Sequence, residues 1–255
     1  MSRKEVGTRG GMTSVQRRRV GPLTDRQWLL VGAGGVLAVL VLAMVATVGV
    51  RLTRADAHEV TAPLPTGRDA GTLVVTGGVN ELTLRTADLG STMYRITTPP
   101  GSGAVPHATT NHGAVSVRIA GSGGGAATVA LSSRLRWDLR LAGGLSRATL
   151  DLSNGSVSGV DFASGLDTVD LKLPRPSGRV PVRVGAGANQ LTVHLPAGVP
   201  AQVRVRSGAG SLTLDGATHN GVAGGTAYPL AGYPRPDAYQ IDLVTGISSL
   251  VVRRD

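Results

Sequence analysis

The chain has 255 residues, a formal net charge of +10 and no cysteine. Without cysteine it can have neither a disulfide framework nor a thiolate metal site. Aromatic residues make up 3% of the chain, with a single phenylalanine. Valine, leucine and alanine must therefore fill the core, which suits a narrow interior built from small repeated layers.

The first feature along the chain is an apolar stretch without any charge, from Trp28 to Val50. A run of about 20 apolar residues spans a bilayer as one helix. We therefore predict a transmembrane helix over 28–50, with the lipid bilayer as its partner. Residues 1–27 form a basic tail with seven basic and two acidic side chains, which we predict to be disordered. Positive flanks stay in the cytoplasm, so we expect a single-pass cell-membrane protein with a cytoplasmic N-terminus and an extracytoplasmic C-terminal domain.

A cleaved signal peptide is the alternative to this anchor. The apolar region of such a signal has about 7–15 residues and leads to a small-x-small cleavage site. Here the stretch is longer, and Arg51 and Arg54 come before the nearest such site, Ala55-Asp56-Ala57, so an uncleaved signal-anchor is favoured. The positive charge does not indicate nucleic-acid binding, because no basic recognition module with interleaved aromatic residues is present.

Residues 51–70 contain Pro63, Pro65 and Gly67 and are predicted to be a linker. From 71 to 255 the pattern alternates with period two, which indicates strands. Similar strands recur at starting positions 148, 169, 191 and 212, so the step between them is nearly constant. A second series, starting at 160, 182 and 203, keeps the same step.

Two strands per repeat, a period near twenty and glycine-rich corners are typical of a β-solenoid. We therefore predict an all-β ectodomain, a single-stranded right-handed β-helix-like solenoid over 71–255, with 71–130 as an atypical capping region. Stacked coils share one core, and Ile241–Leu243 and Leu250–Val252 are expected to close the C-terminal end. The alternative is a β-sandwich, since short strands at 8–12-residue spacing also suggest one. The predicted inward columns are Ala148/Val169/Leu191/Leu212, Leu150/Leu171/Val193/Leu214 and Leu152/Leu173/Leu195.

The repeats at 137–215 resemble the "putative adhesin", or toast-rack, domains of bacterial envelope proteins. The resemblance covers roughly residues 115–255 and rests on the texture of the repeats. It implies a β-solenoid-like domain beside a single membrane span and a role in the cell envelope. It supplies no catalytic residue.

Two carboxylates are the candidate catalytic pair. Asp151 and Asp170 are expected two residues apart along the strand and one coil apart across it, about 8 Å from each other on one face. Inverting glycosidases hold their carboxyl groups at about 6.5–9.5 Å. Lys172 lies beside both and favours their ionised forms, which is wrong for a general acid. We therefore expect a solvated face with modest charge pairing and no enzyme.

Three arginines are the candidate binding residues: Arg183, Arg204 and Arg206. Aligned on one face, they would hold phosphate or carboxylate groups of an anionic envelope polymer, although Asp161 lies in the same column. No metal site and no cofactor are expected, because His107 and His112 have no carboxylate between them and zinc needs three or four ligands.

The sequence therefore predicts a non-enzymatic, membrane-anchored protein that binds, adheres or senses in the cell envelope, with an envelope polymer or another envelope protein as partner. One alternative is a membrane-tethered enzyme that acts on polysaccharide through Asp151 and Asp170. Another is a structural protein that assembles end to end through exposed strand edges.

Overall fold

The computed structural model describes residues 59–99, 104–120 and 125–255. These residues form nineteen strands and include no α-helix. The described part of the chain is therefore all-β, as predicted. In chain order the strands are β1 (Glu59–Pro63), β2 (Ala70–Thr76), β3 (Val79–Ala87), β4 (Thr92–Thr97), β5 (Val105–Asn111), β6 (Ala114–Ala120), β7 (Ala126–Ser132), β8 (Arg136–Leu141), β9 (Leu145–Asp151), β10 (Ser156–Phe162), β11 (Leu166–Lys172), β12 (Arg179–Val184), β13 (Ala188–Leu195), β14 (Ala201–Val205), β15 (Gly208–Leu214), β16 (Ala217–Ala223), β17 (Thr226–Pro229), β18 (Ala238–Leu243) and β19 (Ile247–Arg254).

The strands form two mixed sheets. The ten-stranded sheet has the order β1-β4-β7-β3-β9-β11-β13-β19-β15-β16, and the nine-stranded sheet has the order β17-β14-β18-β12-β10-β8-β2-β6-β5. From β8 to β15 successive strands alternate between the two sheets. A layer is defined here as one strand of the nine-stranded sheet together with the strand that follows it in the ten-stranded sheet.

Neighbouring layers are parallel and in register, which confirms the repeat read from the sequence between β9 and β13. Ala148 lies opposite Val169, and Val169 lies opposite Leu191. Within a layer the matching positions keep a constant offset along the chain, for example from Val160 to Val169 and from Val182 to Leu191. Because of this constant offset, the inward side chains of neighbouring layers lie opposite one another and form continuous apolar rows.

The last strands do not close the stack, contrary to the prediction for 241–252. Strand β18 lies between β12 and β14, and β19 lies between β13 and β15. Leu250 therefore separates Leu191 from Leu212, which were predicted to be neighbours. The physical reason is that β18 and β19 carry the same alternating apolar pattern as the repeats, so an interior position covers their apolar side chains on both flanks.

The N-terminal layer is arranged in the same way. Strands β2 and β3 lie one layer in, between β6/β7 and β8/β9. Antiparallel strands cover both ends of the stack: β4 and β5 at one end, and β16 and β17 at the other. The residues predicted as an atypical capping region, 71–130, thus contain two capping strands but also two regular parallel layers.

A single aliphatic core lies along the inward faces of both sheets. Leucine and valine dominate it, and its few large members are fully buried, among them Trp137, Phe162 and Tyr239. The polar atoms of these large side chains have partners: Trp137 Nε1 donates to the carbonyl of Ser132 at 2.9 Å, and the Tyr239 hydroxyl donates to the carbonyl of Pro174 at 2.9 Å. Burial raises the pKa of Tyr239, so that hydroxyl remains a donor.

Glycine is required where the turns of two layers touch. A Cβ built on Gly143, between β8 and β9, would lie 1.7 Å from the carbonyl oxygen of Gly77, between β2 and β3. Gly77 itself has φ of +92°, a conformation that side chains disfavour. These two turns stack closely because neither residue carries a side chain.

The predicted tail, 1–27, and the predicted membrane helix, 28–50, lie outside the described residues. Across 59–99, 104–120 and 125–255 no helix is long and apolar enough to cross a membrane. Of the predicted linker 51–70, the segment Glu59–Pro63 forms β1, which pairs antiparallel with β4.

Candidate functional site

The outer face of the nine-stranded sheet carries a row of alternating charge. Across five neighbouring strands the register places Arg140, Asp161, Arg183, Asp242 and Arg204 side by side. We call these five residues the charged row. Each carboxylate has an arginine on both flanks, which is the favourable arrangement for neighbouring strands. The predicted binding arginines Arg183 and Arg204 are therefore separated by Asp242, which the sequence did not place there.

The two aspartates of this row form partly exposed ion pairs. Asp161 lies 3.9 Å from Arg140 Nε and 4.0 Å from Arg183 Nε, both within the row, whereas Asp242 lies 3.2 Å from Nη2 of Arg206, which is outside the row. Such pairs contribute about 0–1 kcal/mol each. One oxygen of each aspartate is shielded by its neighbours and accepts no hydrogen bond within the described residues. The two carboxylates thus offset much of the positive charge of the arginines around them.

Arg204 has a different local partner. Its Nε donates to Gln202 Oε1 at 2.9 Å, two residues earlier on the same strand. The three predicted binding residues lie on one face but do not form a continuous cationic stripe, because Arg183 and Arg206 face carboxylates and Arg204 faces an amide.

The outer face of the ten-stranded sheet has a row composed mainly of threonine. A ladder of Thr149, Asp170, Thr192 and Thr213 crosses this face, with Val251 of β19 between its last two members. The row continues beyond both ends of this ladder. Its further members are Thr97, Thr128 and Thr83 on one side and Thr218 on the other.

The next row on this face contains His194, the most buried histidine of the described residues. Asp151, Lys172, His194 and Arg253 are side by side in register. Arg253 follows His194 in this row because β19 lies between β13 and β15. His194 is only 4% exposed although it points away from the core, because neighbouring polar side chains cover it.

His194 is held by two carboxylates and a guanidinium group. Its Nδ1 lies 2.7 Å from Asp255 Oδ2, and its Nε2 lies 3.2 Å from Asp170 Oδ2. The Arg253 guanidinium follows the ring edge, with Nε 3.2 Å from Nδ1 and Nη2 3.1 Å from Nε2. Each ring nitrogen therefore has both a carboxylate acceptor and a guanidinium donor within reach, and the position of the ring proton decides which of the two it uses.

Charge around this histidine also acts on Asp255. The hydrogen bond from His194 lowers the pKa of Asp255, and the nearby positive charges of Arg253 and Lys172 lower it further. A hydrogen bond and opposite charges both favour the ionised carboxylate. Asp255 thus remains the anionic partner that holds His194 at the end of β19.

The structure places Asp151 and Asp170 as predicted, diagonally on neighbouring strands. Each is already engaged by a protein donor. Asp151 Oδ1 accepts from the amide of Ser153 at 3.2 Å and from its hydroxyl at 2.5 Å, and Asp170 accepts from His194. An acid–base role for the pair would require these contacts to be exchanged for substrate contacts.

Within the described ranges 59–99, 104–120 and 125–255, no group of three or more potential metal ligands lies around a common point. His107 lies on β5, and His112 occupies the following turn with φ of +49°.

Sequence reasoning missed Asp242, Arg253 and Asp255, all of which lie on or beside β18 and β19. One signal would have found them. The step along the chain from Ile241 to Leu250 equals the step from Val182 to Leu191, so the C-terminal pair matches a layer of the stack in pattern and in spacing.

Several solved structures are similar to this fold. A "putative cell adhesion protein" from Clostridium sporogenes matches with a TM-score of 0.54 and 13% identity, over 77% of this chain and 99% of that one. This chain has the fold of that protein. A "putative adhesin" from Bacteroides fragilis matches with a TM-score of 0.24 and 8% identity, over 76% of this chain and 96% of that one. Its TM-score is too low to carry an argument.

At 13% identity the likeness shows the fold and leaves the activity open. It agrees, at the level of fold, with the sequence resemblance to bacterial "putative adhesin" domains. No protein-family model matches the chain. No curated protein matches it either.

Proposed function

We propose that the chain is a membrane-anchored envelope protein whose β-solenoid ectodomain binds an extracytoplasmic partner without catalysing a reaction. The observation that carries this proposal is the pair of regular polar outer faces. Rows of threonine, arginine and aspartate repeat at about 4.8 Å from strand to strand, and the aspartates of the charged row form ion pairs with arginines on the same face. Such faces present many weak polar contacts at a fixed spacing, which suits adhesion to a repetitive polymer.

The solenoid description is supported by the parallel layers. Strands alternate between two sheets from β8 to β15 and stay in register. The similar fold of a Clostridium protein described as a "putative cell adhesion protein" adds weight to a binding role. The anchor rests on the sequence: the uncharged stretch 28–50 follows seven basic residues, and that asymmetry favours a cytoplasmic tail.

The proposed partner is an anionic envelope polymer or another envelope protein, and Arg183, Arg204 and Arg206 are its candidate contacts on the nine-stranded sheet. A bacterial host that lacks the chain provides the test. Cells that express the full-length chain should retain more fluorescently labelled, purified cell-wall polymer than cells with an empty vector. A Leu40→Arg/Leu42→Arg variant should lose this gain, because each arginine at the centre of a span costs about 2.5–3.5 kcal/mol of insertion free energy. Equal retention by all three strains would contradict the proposal.

One geometric observation favours the enzyme alternative, namely the diagonal placement of Asp151 and Asp170. The same cells separate the two functions. Binding without release of oligosaccharide fits adhesion, whereas release that is lost in an Asp170→Asn variant would identify a polysaccharide-acting enzyme.

A further inference from the structure

The tripeptide Pro-Arg-Pro occurs twice in the chain, at 174–176 and 234–236. The two copies are far apart in the chain, but each stands just before one of two neighbouring strands. Arg179 at the start of β12 pairs with Ala238 at the start of β18. The insertion of β18 beside β12 therefore brings two identical tripeptides to the same corner of the stack.

Both copies line one groove of about 310 Å³, which we call the Pro-Arg-Pro groove. The proline ring fixes the backbone φ angle, so a proline-rich wall has little backbone freedom to lose when a ligand binds. The lining combines two guanidinium groups with rigid apolar surface. The groove is lined by Arg175, Pro176, Gly198, Val199, Pro200, Arg235, Pro236 and Asp237.

The two arginines of the groove lack ion pairs of the kind that Arg140 and Arg183 of the charged row form with Asp161. Within the described part of the chain, neither Arg175 nor Arg235 forms an ion pair with a carboxylate. Arg175 donates one hydrogen bond, to the carbonyl of Ala197 at 3.3 Å. Each guanidinium group has five N–H donors, so most of the donors of both arginines remain available to a ligand.

Asp237 is the one carboxylate among the lining residues, and it links two loops. Its Oδ1 accepts the amide of Gly178 at 2.5 Å, which ties the loop before β18 to the loop before β12. A second tie comes from Tyr239 of β18, whose hydroxyl donates to the carbonyl of Pro174 at 2.9 Å. These contacts hold the two loops together while the groove keeps an excess of positive charge.

We propose that the Pro-Arg-Pro groove binds a phosphate group of a phosphate-bearing envelope polymer through Arg175 and Arg235. Guanidinium groups recognise phosphate and carboxylate in bidentate fashion. A phosphate presents its acceptor oxygens in a tetrahedral arrangement, whereas the two oxygens of a carboxylate lie in one plane, so two guanidinium groups can approach a phosphate from different directions. This inference deepens the proposed function and rests on its claim of extracytoplasmic binding.

The test measures binding of the purified full-length chain, in neutral detergent, to long-chain inorganic polyphosphate. An Arg175→Gln/Arg235→Gln variant should bind at least tenfold more weakly, and an Asp237→Asn variant should bind more tightly because it removes a negative charge and keeps the oxygen that accepts from Gly178. The matched control is Arg85→Gln/Arg147→Gln, which removes the same charge from two exposed positions of the ten-stranded sheet and should leave the affinity within twofold.

Three results would overturn the assignment. An unchanged affinity of the Arg175/Arg235 variant would exclude the groove. A tenfold loss in an Arg183→Gln/Arg204→Gln variant instead would move the site to the charged row, and would leave the proposed function intact. Polyglutamate that binds as tightly as polyphosphate and is lost in the same variant would show that the groove does not select phosphate. Circular dichroism of each variant establishes that it is folded.

Discussion

The position of β19 between β13 and β15 predicts which buried leucines are energetically coupled. Leu191, Leu250 and Leu212 are each 0% exposed and stand in one row in that order. Substitution of one such leucine by alanine removes its packing and leaves a cavity, at a cost of about 2–5 kcal/mol in the free energy of unfolding. The informative quantity is the coupling between two such substitutions.

Adjacent strands are about 4.8 Å apart and next-but-one strands about 9.6 Å apart. Residues in contact typically couple by about 0.5–3 kcal/mol, whereas those more than about 7–10 Å apart add within about 0.5 kcal/mol. The pair Leu191→Ala and Leu250→Ala should therefore show a coupling free energy within the range for residues in contact. The pair Leu191→Ala and Leu212→Ala should be additive.

Tryptophan fluorescence reports the unfolding. The chain has two tryptophans, and Trp137 is fully buried in the core. In a Trp28→Phe background, guanidinium titration of the full-length chain in neutral detergent follows Trp137 alone. Coupling of Leu191 with Leu212, together with additivity of Leu191 and Leu250, would refute the inserted position of β19 and restore the order expected from the sequence.

Two further predictions concern the turns and the acid stability. Gly143→Ala should lower the free energy of unfolding by at least about 2 kcal/mol, because overpacking strains both turns where the new Cβ would meet Gly77. Gly144→Ala should be near neutral in the same titration, since nothing lies within 4 Å of that Cβ; equal losses would contradict this packing. The folded pKa of Asp255 lies below its ordinary value of 3.8 because of His194, so its contribution to stability is present above that value and disappears as pH falls through the lowered pKa. Asp255→Asn should flatten the acid side of the stability profile from about pH 4 downward. An unchanged profile would show that Asp255 does not contribute to the pH dependence of stability.

The regular part of the fold could be predicted from the sequence because its strands pair with strands that are close to them along the chain. Between β9 and β13 each strand pairs with the strand two places along the chain, so the repeat length sets the register. The columns through Val169 and Leu171 followed directly and were confirmed. The diagonal placement of Asp151 and Asp170 followed from the same register.

The inserted layers could not be found in that way. Strand β14 ends at Val205 and β18 begins only at Ala238, with three other strands between them along the chain. The alternating pattern of polar and apolar residues does not determine between which two layers a strand is inserted. The order is decided by burial on both flanks, which is a property of the assembled stack. This strand order explains both the ion pair of Asp242 with Arg206 and the contact of Arg253 with His194.

The Pro-Arg-Pro groove was missed for a related reason. Its two tripeptides are visible in the sequence, but their chain separation hides that they adjoin. Only the pairing of β12 with β18 brings Arg175 and Arg235 into one groove.

We propose that residues 59–255 lie outside the cytoplasm while the basic tail lies inside. The absence of cysteine from the chain permits a direct measurement with single introduced cysteines and a membrane-impermeant maleimide on intact cells. Ser146→Cys, at an exposed position of β9, should be labelled on intact cells, and Ser14→Cys should be labelled only after lysis. Labelling of Ser14→Cys on intact cells, with Ser146→Cys protected until lysis, would contradict the account.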